Sequence, residues 1–145
     1  MIVVYCSEKG GSGKTTLCVE HAVWAFDQGV KVSVIDADRQ FQAGHWIRAV
    51  EPQIPVREVS TLSEAKRAVA TFRKTHELLI IDVPGKLEEE SNSLLDEADV
   101  AIVPVMASPL DVRSAIVWSK NILSAIKRRH PGRPIVRFVI NGIDR

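Results

Sequence analysis

Short apolar runs alternate along this chain with longer segments of helical periodicity. Most of the runs are continuously apolar, which is typical of strands that are buried on both faces of a sheet. The runs predict six strands, at residues 2–6, 31–36, 55–59, 78–82, 100–105 and 135–141.

Four helices are predicted between these strands. One covers 14–28 and ends at Gly29, and one covers 62–75 with Ser60 or Thr61 as cap and Glu64 placed for a capping box. The others cover 88–97 and 110–129, the latter stopped by a Pro-Gly pair. The sequence does not indicate whether residues 39–52, which include Trp46, form a helix or a loop.

This alternation predicts a fold of the α/β class, with a doubly wound, mainly parallel sheet and helices on both faces. The 145 residues predict a single domain, and the hydrophobic content of 46% with a mean hydropathy of +0.03 fits a globular chain. There is no apolar run of membrane-spanning length and no signal peptide, so a cytoplasmic protein without membrane contact is expected. Cys6 and Cys18 are predicted to be small core residues.

A glycine-rich turn lies between the first predicted strand and the first predicted helix. It reads Lys9-Gly10-Gly11-Ser12-Gly13-Lys14-Thr15-Thr16. Glycines let consecutive N–H groups surround an anion, the lysine reaches β- and γ-phosphates, and the threonine hydroxyl can ligate Mg²⁺. The position of the first glycine in the general phosphate-loop pattern is occupied here by Glu8, and a second lysine, Lys9, precedes Lys14 by five residues. The turn therefore predicts a nucleoside triphosphate site.

The spacing of the two lysines resembles the deviant Walker A motif of the ParA/MinD family of P-loop ATPases, whose extra lysine is called the signature lysine. The stretch 36–40, Asp-Ala-Asp-Arg-Gln, is similar to Asp-x-Asp-Pro-Gln of ParA, with Arg39 in place of proline. Residues 82–85, Asp-Val-Pro-Gly, look like the Walker B aspartate and its switch, and residues 108–111 resemble a family loop. The resemblance covers the whole chain and looks closer to small plasmid-type ParA proteins than to MinD. Such proteins usually continue with a further strand and helices.

The resemblance implies roles for individual residues. Lys14 and residues 10–16 would bind ATP, and Asn141 would lie near the adenine, although Asn-Gly is also a common turn pair. Thr15 and Asp82 would hold Mg²⁺, with Asp36 in its outer shell. Asp38 would position the attacking water, unless it is an ordinary loop acid. The catalytic set implied in this way is Lys9, Lys14 and Asp38, and the metal set is Thr15, Asp82 and Asp36.

Lys9 lies outside the glycine turn, and the resemblance implies that it contacts the phosphates of a second subunit in an ATP-bound homodimer. The alternative is a solvated lysine that pairs with Glu8.

The net charge of +1 conceals a segregation of charges. Residues 77–99 carry eight acids and one base, and residues 112–143 carry seven bases and no acids. The bases predict sequence-independent DNA binding, although a solvated helix face would give the same pattern. They are Arg113, Lys120, Lys127, Arg128, Arg129, Arg133 and Arg137.

The expected function is therefore DNA partitioning or cargo positioning by a nucleoid- or plasmid-associated ATPase with a separate stimulating or adaptor protein. The alternatives are a MinD-like or other positioning ATPase, and a nucleotide-binding scaffold with little hydrolysis. Iron–sulfur or nitrogenase-type relatives are disfavoured because no cysteine follows Cys18.

Overall fold

A computed structural model describes residues 1–7, 9–85, 93–129 and 132–142, with the backbone alone at 121–123, 125 and 127–129. The strands are β1 (Ile2–Tyr5), β2 (Val32–Asp36), β3 (Val56–Glu58), β4 (Leu78–Asp82), β5 (Val100–Met106) and β6 (Ile135–Asn141). The helices are α1 (Lys14–Asp27), α2 (Gln42–Val50), α3 (Leu62–Phe72) and α4 (Pro109–Arg129).

The six strands form one sheet in the order β3-β2-β4-β1-β5-β6, and every paired strand is parallel. The strand order reverses beside β1, so the central strands β4 and β1 are neighbours although 77 residues separate their paired positions, as in Val3↔Ile80. Continuous apolar sequence fits these strands, since β1, β2 and β4 are buried at every residue.

Helices cover both faces of the sheet. One core cluster joins α1 and α2 to one face, with Cys18, Ala22 and Ile47 among its buried members. The other joins α3 and α4 to the opposite face through residues such as Val69 and Ala115. The predicted doubly wound α/β architecture is confirmed.

Helix α2 lies within residues 39–52, the segment that the sequence pattern did not assign, so Trp46 is in a helix. The predicted capping box of α3 is confirmed, because the Thr61 side chain accepts from the Glu64 N–H and the Glu64 carboxylate accepts from the Thr61 N–H. Of the predicted helix at 88–97, residues 88–92 lie outside the described residues, and residues 93–95 are helical.

The carboxyl ends of the strands bring the polar residues of the sequence motifs to one edge of the sheet. Asp36 ends β2 and Asp82 ends β4, and the two are paired in the parallel register. Tyr5, at the end of β1, is the partner of Asp82 on the other side. In open α/β sheets this edge is where ligands bind.

Candidate nucleotide-binding site

The glycine turn connects β1 to α1 and depends on two left-handed glycines. Gly11 has φ +77° and Gly13 has φ +84°, values that residues other than glycine rarely adopt. A Cβ at Gly13 would also collide with the side-chain amide of Asn141. Gly13 is the N-cap of α1 and no side chain caps the helix, so its first N–H groups remain directed towards the turn. The loop has the backbone that phosphate binding requires.

Lys14, Thr15 and Asp82 form a polar cluster at the start of α1, in which Lys14 and Asp82 are buried and Thr15 is partly buried. The Lys14 ammonium donates to Asp82 Oδ1 at 2.6 Å, and the Thr15 hydroxyl donates to Asp82 Oδ2 at 2.8 Å. The side chain of Lys14 is 8% exposed and that of Asp82 is 0% exposed. Burial raises the pKa of Asp82, while the charge of Lys14 opposes this shift. Lys14 therefore neutralises a carboxylate that would otherwise be costly to bury.

Ser12 is the phosphate-loop residue with an orphaned polar group. Its Oγ is buried and has no hydrogen-bond partner, and its carbonyl accepts from the Asn141 amide at 3.1 Å. A buried hydroxyl that lacks a partner is able to donate to a phosphate oxygen. Asn141 thus lies against the phosphate loop, and its proximity to an adenine stays a prediction.

Asp36 organises the loop that carries Asp38. Asp36 Oδ1 accepts from the Asp38 N–H at 3.1 Å, and Oδ2 accepts from the Gly44 N–H at 2.9 Å. Gly44 belongs to the first turn of α2, whose N-cap Phe41 is left-handed and gives no side-chain cap. The Asp36 carboxylate supplies that missing cap from the end of β2. Burial raises its pKa to about 6, although both N–H groups stabilise the charged form.

The residues assigned to a metal divide into two groups. Thr15 and Asp82 bond each other and supply the hard oxygen ligands that Mg²⁺ prefers, whereas Asp36 directs its oxygens to N–H groups. Within the described chain, no group of three or more His, Cys, Asp or Glu side chains is arranged to hold a metal ion. The Thr15 and Asp82 oxygens could hold an ion whose other ligands are phosphates and water.

Lys9 is bonded within its own chain, to a residue for which the sequence suggested no role. Its ammonium lies 2.5 Å from Asp111 Oδ1, in the first turn of α4, and the two side chains are 58% and 26% exposed. Both side chains line a cavity of about 120 Å³ between the phosphate loop and α4. An acid in the first turn of a helix is the only signal that the sequence offered for this contact.

The two cysteines are buried, as predicted, and both thiols are free. Burial raises the pKa of Cys6 to about 12 and that of Cys18 well above its usual value. Thiols that stay protonated are poor nucleophiles and poor metal ligands, so they act as packing residues beside the loop.

The basic residues of the second half lie on α4, on β6 and between them. Arg113, Lys120 and Arg137 are exposed, and Arg133 pairs with Asp99 at 2.8 Å. The side chains of Lys127, Arg128 and Arg129 lie outside the described residues. Across the described residues, no helix combines the length and hydropathy needed to cross a membrane.

The chain is similar in sequence to several known proteins. Residues 3–141 match the family described as "CobQ/CobB/MinD/ParA nucleotide binding domain". The chain is 29% identical over 124 residues to the maintenance of carboxysome distribution protein A of Halothiobacillus neapolitanus, covering 82% of this chain and 56% of that protein. It is 26% identical over 114 residues to a protein ParA of Rhizobium radiobacter, covering 76% of this chain and 50% of that protein.

Among solved structures, the MinC:MinD cell division protein complex of Aquifex aeolicus contains a chain with the same fold. The TM-score is 0.78 at 20% identity, covering 99% of this chain and 69% of that one. This chain spans about half the length of the curated relatives that it matches. Since the match extends over nearly every residue from β1 to the end of β6, the chain belongs to the CobQ/CobB/MinD/ParA family of nucleotide-binding domains.

Proposed function

We propose that this chain is a ParA-type ATPase, which binds ATP with Mg²⁺, dimerises, hydrolyses ATP to ADP and phosphate, and partitions DNA or positions a cargo. The observation that carries the proposal is the polar cluster of Lys14, Thr15 and Asp82 at the start of α1. It places a cation, a hydroxyl and a carboxylate beside a glycine loop whose N–H groups can surround phosphates.

ATP binding exchanges the partners of this cluster. The Lys14 ammonium turns from Asp82 towards the β- and γ-phosphates, and the Ser12 hydroxyl donates to a phosphate oxygen. Thr15 and Asp82 would hold the ion once the hydrogen bond between them is released. Mg²⁺ supplies charge neutralisation on the phosphates. Because Lys14 and Asp82 are buried, each exchanged contact has a large electrostatic effect.

Asp38 holds the attacking water, and Asp36 positions Asp38. The N–H of Asp38 is fixed by Asp36, which also caps α2, so the loop between β2 and α2 has a defined place at the edge of the sheet. Burial is the largest cause that raises the pKa of Asp82, and the negative charge of Asp38 adds to it, so the two carboxylates lie near each other. This proximity supports a role next to the phosphates, where phosphoryl transfer requires an oriented nucleophile.

Lys9 acts on the nucleotide of a second subunit. In the single chain its ammonium is held by Asp111, on the outer side of the glycine turn. Release from Asp111 lets it cross to the phosphates of the partner, so that hydrolysis requires the dimer. The same dimer doubles the number of cations that Arg113, Lys120 and Arg137 present to DNA, and places the protein on the nucleoid or on a plasmid.

The positioning role is supported by two relatives, one named for carboxysome distribution and one named ParA. A separate adaptor or stimulating protein is part of the proposal. There are two alternatives. One is a MinD-like positioning role, and the other is a scaffold with little hydrolysis, which the replacement of proline by Arg39 would explain. Turnover of wild-type protein separates the scaffold from an ATPase.

Removing Lys14 should impair ATP binding, whereas removing Asp38 should impair ATP hydrolysis. Lys14→Ala should weaken ATP binding by roughly 10- to 100-fold, because a charge-assisted contact to the phosphates is lost. Asp38→Ala should preserve ATP binding, lower turnover by about 100-fold or more, and accumulate the ATP-bound dimer. Calorimetry, phosphate release and sedimentation measure the three quantities. Normal turnover by Asp38→Ala would remove the role assigned to that residue, and equal inactivity of wild type would favour the scaffold.

Lys9 and Asp111 should affect dimerisation in opposite directions. Lys9→Ala should leave the ATP affinity of the monomer unchanged and eliminate ATP-dependent dimerisation. Asp111→Asn should strengthen dimerisation by up to about 25-fold, since each dimer breaks two partly exposed ion pairs that contribute roughly 0–1 kcal/mol each. Sedimentation with ATP and Mg²⁺ tests both variants. Mixed dimers of Lys9→Ala with Asp38→Ala should regain hydrolysis in one site, and active Lys9→Ala protein alone would contradict action in trans.

DNA binding should depend on ATP and fall steeply with salt, because phosphate contacts release counterions. Arg113→Glu with Lys120→Glu, and separately Arg128→Glu with Arg129→Glu, should weaken binding to all sequences alike while ATP affinity is retained. Lys66→Glu with Lys74→Glu is the matched control with the same change of charge, since Lys66 is exposed on α3 and Lys74 is exposed just after its end. Fluorescence anisotropy with unrelated duplexes is the measurement. Equal losses in the control pair would mean that net charge alone is responsible.

A further inference from the structure

A groove lies between β3 and α3, on the sheet edge opposite to β6. Its volume is about 360 Å³. Val59, Ala68 and Phe72 give it an apolar floor, and Arg57, Arg67 and Thr71 stand along its sides. β3 is the terminal strand of the sheet, paired with β2 alone. A groove that combines a free strand edge with a helix can hold an extended peptide.

The backbone of β3 has free groups on the groove side. The Pro55 carbonyl accepts from the Val34 N–H and the Val59 N–H donates to the Asp36 carbonyl, so residues 55, 57 and 59 face β2. Because alternate residues of a parallel strand bond to the same neighbour, the N–H and C=O groups of Val56 and Glu58 are directed away from β2. These four groups match the hydrogen-bonding pattern of one added strand.

The charged residues of the groove favour an acidic occupant. Glu58 is bonded to Arg48 at 2.6 Å, and Glu64 accepts from the N–H groups at the start of α3. Both acids are therefore engaged by other parts of the protein. Arg57 and Arg67 form no ion pair within the described part of the chain. The hydrogen bond from the Ser60 N–H is the main cause that lowers the pKa of Glu64, and the charge of Arg67 contributes least. Two guanidinium groups are available to a carboxylate.

We propose that this groove binds an extended, acidic segment of a partner protein, which adds to the sheet as a seventh strand beside β3. Main-chain bonds to Val56 and Glu58 hold the segment, its apolar side chains cover Val59, Ala68 and Phe72, and a carboxylate pairs with Arg57 and Arg67. A second copy of this chain fits less well, because two-fold pairing of the edges would bring the arginines of both copies together. A nucleic acid has no main-chain amides to pair with the free strand edge at Val56 and Glu58.

The site is separate from the phosphate loop, so it can be tested without reference to ATP hydrolysis. The probe is a capped synthetic octapeptide, Thr-Val-Thr-Glu-Thr-Val-Thr-Glu, whose Val and Glu side chains share one face of an extended strand. It is compared with the same peptide carrying Lys at both Glu positions. Binding to the full chain is measured by fluorescence anisotropy. The acidic peptide should bind at least about tenfold tighter than the lysine peptide, since charge-assisted bonds to guanidinium groups are lost in the latter.

Protein variants and a modified peptide test the geometry. Arg57→Glu with Arg67→Glu should reverse the preference between the two peptides, and the milder Arg57→Gln with Arg67→Gln should remove it. Lys66→Glu with Lys74→Glu should retain it. ATP binding by each variant confirms that it is folded. The acidic peptide with N-methyl groups at alternate amides should bind at least about tenfold more weakly, because strand pairing needs those N–H donors.

Hydrogen exchange identifies the edge that is used. Exchange of the Val56 and Glu58 amides should slow when the acidic peptide is bound. The proposal is overturned if both peptides bind equally, if the N-methylated peptide binds as well as its parent, or if the arginine variants keep the acidic preference. Slow exchange at Val56 and Glu58 in a peptide-free dimer would instead assign the edge to a second copy of the chain.

Discussion

The buried ion pair between Lys14 and Asp82 is the interaction on which the site depends. Neither group could be buried alone at acceptable cost, and breaking such a pair by removing one partner typically destabilises a protein by roughly 3–5 kcal/mol. The pair requires the phosphate loop and the end of β4 to lie together, and the sheet provides this by pairing Tyr5 of β1 with Asp82 of β4. The order of the strands therefore determines whether the loop can form its buried ion pair.

The same principle extends to the other charges of the nucleotide edge. Lys9 is neutralised by Asp111, and Asp36 is satisfied by the amides of Asp38 and Gly44. In the single chain these groups have internal partners. In the proposed cycle, phosphates replace Asp82 as the partner of Lys14, and a second subunit replaces Asp111 as the partner of Lys9. The free energy needed to release Lys9 from Asp111 is small, because this ion pair is partly exposed and weak.

Sequence patterns predicted the parts of the structure that are determined locally. Continuous apolar runs give buried parallel strands, and the glycine spacing gives the left-handed turns at Gly11 and Gly13. The segment with α2 was not predictable in the same way, since its N-terminus is capped by Asp36 of another element and its own N-cap, Phe41, is left-handed. The Lys9–Asp111 contact joins residues 102 positions apart, and no local rule indicates it. Tertiary contacts decide both features.

The most direct test of the central claim is the linkage between Mg²⁺ and ATP affinity in wild type and in Asp82→Asn. If Asp82 holds both Lys14 and the site of the ion, Mg²⁺ should tighten ATP binding to wild type. In Asp82→Asn, Lys14 is released, so ATP without Mg²⁺ should bind more tightly than to wild type, and Mg²⁺ should add little. Calorimetry of the two proteins, each with and without Mg²⁺, measures all four affinities. An unchanged Mg²⁺ effect together with an unchanged metal-free affinity in Asp82→Asn would contradict the account.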